Sequence, residues 1–365
     1  MANKAKKLPK YEILQDILSK ELPIHGARLK FIVLLITSLL KVQSVNFERL
    51  AEGFDNAVEL SSNLRRIQRF FASFELDGDL IARLLFKLLP FSGPYRLSLD
   101  RTNWKFGQRN INILAIGVIY KGLSLPLLWV FLADKRGNSS QIERIELLKR
   151  YIKLFGAHSI EFLTADREFV GEEWWQFLID HKIRIFIRMR ANMQVFVPHK
   201  GLVKAFWLFN ALPLRTFYQH PKIVQIKGCW VYISGLKFTN QKGQLEFLII
   251  ASYKKELDVL ECYKQRWQIE TMFKAFKTAG FNLESTHLTD YERLDRLLML
   301  VALAFVWAYK TGIYRQNQGK PIIIKKHGRP AKSIFAYGLE YLAQALLNSF
   351  IQIIQKLSAA FLSCT

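Results

Sequence analysis

Between residues 95 and 132 the sequence predicts three consecutive β-strands, and this run limits the fold more than any other feature. YRLSLDRTNW alternates apolar and polar residues and puts Asp100 at or near the carboxyl end of the first strand. Two β-rich runs follow, Ile111–Tyr120 and Leu125–Leu132, and the Lys121-Gly122 pair between them is typical of a hairpin turn. We therefore predict that three adjacent antiparallel strands start a sheet.

A helix and a fourth strand come next. Gln141–Phe155 is amphipathic, and SIEFLTADREF predicts a buried strand that ends at Asp166. A strand reached through a helical crossover should lie parallel to the first strand and beside it, so Asp100 and Asp166 should emerge at the same edge of the sheet. This is the strand order of ribonuclease H-like folds. The sequence therefore predicts an α/β protein built on a ribonuclease H-like mixed sheet.

The stretch Leu257–Ala279 predicts a helix with its polar chemistry on one edge. At roughly 100° per residue, one narrow stripe carries Tyr263, Arg266, Glu270, Lys274 and Lys277, and the neighbouring apolar face carries Ile269, Met272, Phe273 and Phe276. A carboxylate beside an arginine and two lysines is typical of a site where a metal-bound carboxylate meets phosphate oxygens. The other interpretation of the same stripe is a solvent-exposed helix edge stabilised by ion pairs between residues three or four apart.

The spacing Tyr263-x2-Arg266-x3-Glu270-x6-Lys277 resembles the signature helix of the insertion-sequence-four group of DDE transposases. The segments DRTNW, which begins at Asp100, and ADREF, which contains Asp166, resemble the segments around the first two acids of that family. An isolated aspartate at a strand end is most often a cap or turn residue. Three matched acids in this order favour the catalytic interpretation.

The resemblance implies a catalytic triad of Asp100, Asp166 and Glu270 that holds two Mg²⁺ ions, with Mn²⁺ as a substitute. Cleaving a phosphodiester and then using the freed 3′-hydroxyl for a second attack needs two metal ions about 3.5–4 Å apart, and Mg²⁺ prefers oxygen ligands. Asp100 is expected to bridge the ions, and Glu168 is expected to have a supporting or structural role. The remaining stripe residues, Tyr263, Arg266, Lys274 and Lys277, are expected to contact DNA phosphates.

The charge balance agrees with a polyanionic partner. The chain has 53 Lys and Arg against 30 Asp and Glu, a net charge of +23. The resemblance makes that partner double-stranded DNA, namely the terminal repeats of the element and its target.

No membrane is expected, because the apolar run Leu297–Ala308 is shorter than the roughly 20 residues of a bilayer span and predicts a buried helix instead. The cysteines form no CxxC pair, which fits a reducing cytoplasm, with association to the bacterial nucleoid when DNA is bound.

Residues 1–90 predict a helical DNA-binding domain. FERLAEGF and SSNLRRIQRFFASF resemble a helix-turn-helix, with Ser61 and Ser62 as candidate caps of the second helix. Arg65, Arg66 and Arg69 of that helix are expected to face a duplex, while Ile67, Phe70 and Phe71 turn inward. The alternative is an ordinary basic helix in a helical bundle.

Residues 91–190 and 245–315 are predicted to form the catalytic core, interrupted by a β-rich insertion over 191–244, which the resemblance also implies. The insertion offers Trp207 and Trp230 as wedges against an unstacked base, although aromatic residues in β-rich segments are more often core residues. Arg188 and Arg190 are expected near the cleft.

Residues 316–365 predict a basic loop and a C-terminal helix. Lys325, Lys326 and Arg329, with Lys332, suit a backbone phosphate, or else form a solvated positive loop. The resemblance is compatible with a homodimer in the synaptic complex, but this segment is shorter than a separate dimerisation domain.

These observations favour a transposase that binds the terminal repeats of its own insertion sequence and performs metal-dependent strand cleavage and transfer of the cut-and-paste type. Two alternatives remain open from the sequence. One is a decayed, catalytically inactive DNA-binding protein that occupies element ends. The other is a ribonuclease H-like nuclease without strand transfer. The motifs for phosphate loops, dinucleotide binding, serine hydrolases and zinc proteases are missing from the sequence, so those classes lose support.

Overall fold

The computed structural model describes residues 11–132, 137–326 and 328–362. The described α-helices are α1 (Glu12–Glu21), α2 (Gly26–Val42), α3 (Phe47–Glu52), α4 (Leu60–Ser73), α5 (Gly78–Lys87), α6 (Gln141–Phe155), α7 (Glu172–Asp180), α8 (Val259–Lys264), α9 (Gln268–Lys277), α10 (Tyr291–Asn317), α11 (Ile334–Leu347) and α12 (Ile351–Leu362). The described strands are β1 (Tyr95–Phe106), β2 (Arg109–Tyr120), β3 (Leu123–Phe131), β4 (Ile160–Ala165), β5 (Ile185–Met189), β6 (Gln194–Val197), β7 (Gly201–Lys204), β8 (Tyr218–Gln219), β9 (Val224–Ile226), β10 (Cys229–Thr239) and β11 (Leu245–Ser252).

The chain forms two compact units. The sheet unit comprises Ser92–Lys105 and Asn110–Met272. The helical unit comprises Met1–Phe91, Phe106–Arg109 and Phe273–Thr365. The sequence prediction assigned all of residues 245–315 to the catalytic core. In the structure the sheet unit ends at Met272 and the helical unit resumes at Phe273, so the division falls within α9.

The sheet unit has the predicted strand order. Its 11 strands are arranged β3-β2-β1-β4-β5-β11-β10-β9-β6-β7, with β8 paired to β10. β2 and β3 are antiparallel, and β4 is parallel to both β1 and β5. Lys121 and Gly122 both have positive φ angles, 44° and 82°, as a tight hairpin turn requires. The ribonuclease H-like mixed α/β fold predicted from the sequence is confirmed.

The register of β1 and β4 sets the position of both aspartates. Leu99 pairs with Ala165, so Asp100 and Asp166 follow directly on neighbouring strands. The expectation that β1 ends near Asp100 is wrong, because the strand continues to Phe106 beside β2. Asp100 instead lies where the pairing of β1 with β4 stops. Its side chain is therefore at the end of the parallel ladder although it is inside a strand.

Strands from the predicted insertion continue the same sheet. β10 pairs along most of its length with β11, and β11 pairs antiparallel with β5. β6 and β7 form a hairpin at the far edge. Much of the 191–244 segment is therefore an extension of the core sheet.

In the helical unit α10 is the central element. Its side chains from Leu297 to Thr311 are buried, and the helix packs against α2, α4, α5, α11 and α12. A helix that is apolar on all sides must be enclosed by other elements. α10 is long and apolar enough to cross a membrane by length and composition, yet 94% of its most apolar window is buried inside the protein.

Three local predictions need correction. Leu257–Ala279 is not one continuous α-helix, because a 3₁₀ turn at Gln265–Trp267 separates α8 from α9. Ser61 and Ser62 do not cap α4, which begins one residue earlier, after Glu59. The C-terminal segment contains α11 and α12 rather than one helix, and Ser349 adopts a positive φ of 54° between them.

Candidate active site

Asp100 and Asp166 lie side by side at the end of the β1–β4 ladder, in the sheet unit. The Asp100 side chain is 15% exposed and the Asp166 side chain 31%. Asp100 sits on a strand enclosed by β2 and β4, whereas Asp166 begins the 3₁₀ turn that follows β4. Asp166 is therefore the more accessible of the two carboxylates.

Arg266 connects Asp100 to Glu270. Its Nη1 atom lies 3.1 Å from Oδ2 of Asp100, and its Nη2 atom lies 2.7 Å from Oε1 of Glu270. The Arg266 side chain is only 7% exposed, and that of Glu270 is 36% exposed. The planar guanidinium can donate to two carboxylates at once, so it joins a sheet residue to a helix residue. We call Asp100, Asp166, Arg266 and Glu270 the acid–arginine cluster.

Asp166 has two further polar neighbours. The Tyr263 hydroxyl donates to Oδ1 of Asp166 over 3.5 Å, and Nη1 of Arg188 lies 4.0 Å from the same oxygen. Tyr263 is buried, and burial raises the pKa of its hydroxyl while the positive charge of Arg266 lowers it. The phenol therefore remains a neutral donor at neutral pH.

Burial raises the pKa of the Asp100 carboxyl to about 7. A hydrogen bond from the Arg101 backbone N–H and the charge of Arg266 act in the opposite direction, and the negative charges of Glu168 and Asp166 raise the pKa further. The nearby positive charge therefore does not offset the loss of solvation at the Asp100 carboxylate.

A second ion pair lies beside the cluster. Arg101 donates through Nε and Nη2 to the two carboxylate oxygens of Glu168, over 3.3 Å and 3.2 Å, and through Nη1 to Asn112. Glu168 stands in the 3₁₀ turn after Asp166. This pairing fits the supporting role expected of Glu168, because it ties the Asp166 turn to β1.

The donor set of the cluster fits a hard divalent cation. Asp100, Asp166 and Glu270 offer only carboxylate oxygens, which are the ligands that Mg²⁺ prefers. In the part of the chain that the structure describes, no three His, Cys, Asp or Glu side chains come together closely enough to hold a metal ion. Asp100 and Glu270 are joined through the Arg266 guanidinium instead. The carboxylate oxygens therefore suit Mg²⁺, and in this structure the positively charged Arg266 guanidinium lies between Asp100 and Glu270.

The other predicted DNA contacts lie on α9, on α4 and in the basic loop. On α9, Lys274 is exposed and Lys277 pairs with Glu284 over 2.8 Å. Arg65, Arg66 and Arg69 are exposed on α4, while Ile67, Phe70 and Phe71 are buried as predicted. The basic-loop residues Lys325, Lys326 and Arg329 are exposed. These positions are compatible with DNA contact, and the contacts themselves stay predictions.

The predicted base wedges lie on the β-rich segment. Trp207 is 61% exposed and Trp230 is 43% exposed, with Trp230 packed edge-on against Phe196. Arg190, expected near the cleft, is exposed at the end of β5. Neither tryptophan contacts the acid–arginine cluster in the described contacts.

Sequence reasoning missed Trp267. This indole is 64% exposed, and the Arg266 guanidinium lies 5.4 Å from its ring centroid. With Leu236, Leu248 and Leu260 it lines a cavity of about 510 Å³ that also reaches Tyr263 and Arg266. At 100° per residue Trp267 lies beside the polar stripe and away from the apolar face, and this position was the available signal.

Comparison with known families gives a direct result. The family described as Transposase DDE domain matches residues 91–307, which is more than half of the chain and contains all three acids. The protein belongs to this family. No curated protein sequence matches the chain significantly. Among solved structures, the cryo-EM structure of a piggyBac transposase synaptic complex with hairpin DNA aligns with 94% of this chain and 77% of its own, at 12% identity and a TM-score of 0.45.

Proposed function

We propose that this member of the transposase DDE family is an active, metal-dependent DNA transposase. The observation that carries the proposal is the acid–arginine cluster. Asp100 and Asp166 follow paired residues on adjacent parallel strands, and Glu270 is held to Asp100 through Arg266. A structural ion pair alone would not need a second carboxylate at the end of the neighbouring strand.

In this proposal Asp100, Asp166 and Glu270 hold the catalytic Mg²⁺ ions, with Mn²⁺ as a substitute. Bound metal would stabilise the attacking and leaving oxygens of the phosphodiester. With Asp100 and Glu270 engaged as ligands, the Arg266 guanidinium would be available to bind a DNA phosphate, for which its planar fork is suited. Tyr263 keeps Asp166 oriented through its hydroxyl hydrogen bond.

We further propose that the protein belongs to the insertion-sequence-four group and binds the terminal repeats of its own element. The Tyr263, Arg266, Glu270 and Lys277 spacing supports the group, and the net charge of +23 supports a DNA partner. Cut-and-paste transfer into target DNA, a cytoplasmic, nucleoid-associated location and pairing of two copies on the element ends complete the proposal.

The test is Mg²⁺-dependent nicking of a labelled element-end duplex, with binding measured in Ca²⁺ on the same duplex. Glu270→Gln keeps the size and helix propensity of the side chain but removes its charge. Nicking should fall by at least a hundredfold while binding is retained, and Asp100→Asn and Asp166→Asn should behave in the same way. Combining the three should cost little more than any single change, because residues of one catalytic unit are not additive.

The matched control is Glu261→Gln. Glu261 is an exposed glutamate on α8 that pairs with Lys264 over 2.7 Å, so it shares the helical setting and the ion pair but not the cluster. Its replacement should leave nicking unchanged. Normal nicking by Glu270→Gln would remove Glu270 from the catalytic set and leave its bond to Arg266 as a structural ion pair.

A second candidate function is sequence-specific DNA binding without cleavage. The bridge that Arg266 forms between Asp100 and Glu270 favours it, because a guanidinium fixed there would exclude a metal ion. A parent protein that binds element ends but cuts them in neither Mg²⁺ nor Mn²⁺ would establish this function. Joining of cut 3′ ends to a target plasmid separates the transposase from a nuclease without strand transfer.

A further inference from the structure

Helix α4 stands out from the helical unit as a ridge. Asn63, Ile67 and Phe71 are buried and fix one side of the helix in the core. On the opposite edge, Ser62, Arg65, Arg66, Arg69 and Ser73 are exposed. At 100° per residue, Arg65 and Arg69 are at the crest of this edge, opposite the buried side, while Arg66 points to one flank.

Each flank of α4 opens into a groove. The larger groove has a volume of about 910 Å³, and its lining includes Arg65, Gln68 and Arg69 of α4 together with Arg293 of α10. The smaller groove has a volume of about 380 Å³, and its lining includes Arg66, Arg69 and Ser73 of α4. Arg69 lines both grooves, as expected of a residue at the crest.

The wall of the smaller groove opposite α4 belongs to α2. Arg28 and Phe31 contribute to it. The guanidinium of Arg66 lies 5.0 Å from the centroid of the Phe31 ring, and that of Arg28 lies 4.9 Å from the centroid of the Phe74 ring. These contacts hold both cations against the groove. An arginine therefore stands on each outer wall, Arg28 in the smaller groove and Arg293 in the larger one.

The arginines of the two grooves are not neutralised. Among the described residues, none of Arg28, Arg65, Arg66, Arg69 and Arg293 forms an ion pair, whereas Arg96, Arg184 and Arg266 of the sheet unit each pair with a carboxylate. Glu48 is a carboxylate in the lining of the larger groove. Positive charge therefore predominates on both sides of the ridge and complements a polyanion.

We propose that α4 inserts into the major groove of duplex DNA, with the backbone of one strand in each flanking groove. The major groove is about 12 Å wide and admits one α-helix with its side chains, which is about 10–12 Å across. Arg69 at the crest reads a guanine through O6 and N7, and Arg28 and Arg293 bind phosphates of opposite strands. This inference rests on the proposed function, because it names the surface through which the element end is recognised.

The experiment uses the full chain and a duplex chosen by the protein itself. Duplexes bound by the parent are selected from a pool with a randomised 20-base-pair centre. The affinity of each variant for the selected duplex and for a shuffled duplex is then measured over a series of KCl concentrations. Arg69→Ala should reduce the ratio of the two affinities by about 5- to 150-fold, the range expected for loss of one bidentate base contact.

Arg28→Ala and Arg293→Ala should weaken binding to both duplexes by a similar factor and leave their ratio unchanged. Each should also reduce the slope of log affinity against log salt by about 0.9, the value for one phosphate contact. Arg28→Lys and Arg293→Lys should restore most of the slope, because the charge returns. Arg83→Ala is the matched control, since Arg83 is an exposed arginine of α5 that lines neither groove, and it should bind as the parent does. Melting temperatures confirm that each variant is folded.

The outcomes separate this inference from the proposed function. If the parent nicks its selected duplex while the Arg28, Arg69 and Arg293 variants bind as the parent does, the duplex lies elsewhere and the α4 assignment is wrong although the transposase activity stands. If the parent never nicks DNA but the variants behave as described, the α4 surface is correct and the catalytic proposal fails. A selection that returns no preferred sequence would overturn base reading by Arg69.

Discussion

Arg266 is the residue on which the candidate active site depends. A buried arginine is costly unless its charge is matched, and here two carboxylates from distant parts of the sequence match it, Asp100 at 3.1 Å and Glu270 at 2.7 Å. The two bonds use different nitrogens of one planar group. A lysine ammonium is a compact point charge and cannot reproduce this fork. The arginine is therefore specific to its position.

Arg266→Lys should accordingly lower the rate of Mg²⁺-dependent nicking by about tenfold or more, which corresponds to about 1.4 kcal/mol. The reason is that one ammonium cannot orient Asp100 and Glu270 together. Single-turnover nicking of a labelled element end is the measurement. Lys264→Arg, the reverse exchange at an exposed position on α8, is the control and should be silent. A variant as active as the parent would show that the fork geometry has no catalytic importance.

The Asp100 carboxyl should make stability depend on pH. Its pKa is raised from 3.8 to about 7, so the folded protein binds a proton more tightly than the unfolded chain does. The stability linked to this proton is present below about pH 4 and is lost as pH rises through 7. In metal-free buffer, the melting temperature of Asp100→Asn minus that of the parent should therefore rise from pH 4 to pH 7 and level off above pH 7. A difference that is constant over this range would contradict the raised pKa.

At the scale of elements, the 3₁₀ turn between α8 and α9 shows what periodicity can and cannot predict. The apolar spacing correctly assigned Ile269, Met272, Phe273 and Phe276 to the buried face. It predicted one continuous helix because Gln265, Arg266 and Trp267 carry no helix-breaking signal. The turn accompanies contacts distant in sequence, the bond from Arg266 to Asp100 and the exposure of Trp267. A single-helix pattern contains no information about such partners.

The crossing of α10 and α11 depends on glycine. A Cβ atom on Gly338 would collide with the backbone of Ala308 and Gly312. Gly338→Ala should therefore destabilise the protein by about 1–3 kcal/mol, the usual cost of overpacking a close helix contact. Thermal unfolding of the full chain measures the change.

Gly26→Ala is the matched control for that experiment. Gly26 begins α2, and a Cβ there would meet no atom within 4 Å. Because alanine has a higher helix propensity than glycine, this variant should be as stable as the parent or slightly more stable. Equal melting temperatures for the parent and Gly338→Ala would mean that the two helices can move apart at little cost.

At the scale of the whole molecule, local pattern predicted the strand order and the neighbouring positions of Asp100 and Asp166. Alternation along β1 and β4 and the crossover helix α6 were sufficient, because the handedness and parallel pairing of such units follow general rules. The division into two units was not predictable in the same way. It depends on α10 packing against α2, α4 and α5, which lie more than 200 residues earlier in the chain. The continuation of the sheet through β10 and β11 likewise depends on long-range pairing.

The positive charge of the whole chain leads to the last prediction. With a net charge of +23, binding to a duplex of arbitrary sequence should be governed by release of counterions from DNA phosphates. If 6 to 10 phosphates are contacted, the affinity should fall by about 10³- to 10⁵-fold between 50 and 200 mM KCl. Fluorescence anisotropy with a labelled 30-base-pair duplex measures this fall, and a single-stranded oligonucleotide of the same length should give a shallower slope. Charged contacts, rather than apolar burial, are expected to dominate the affinity for duplex DNA. An affinity that does not change with salt would therefore refute duplex DNA as the partner of this positively charged chain.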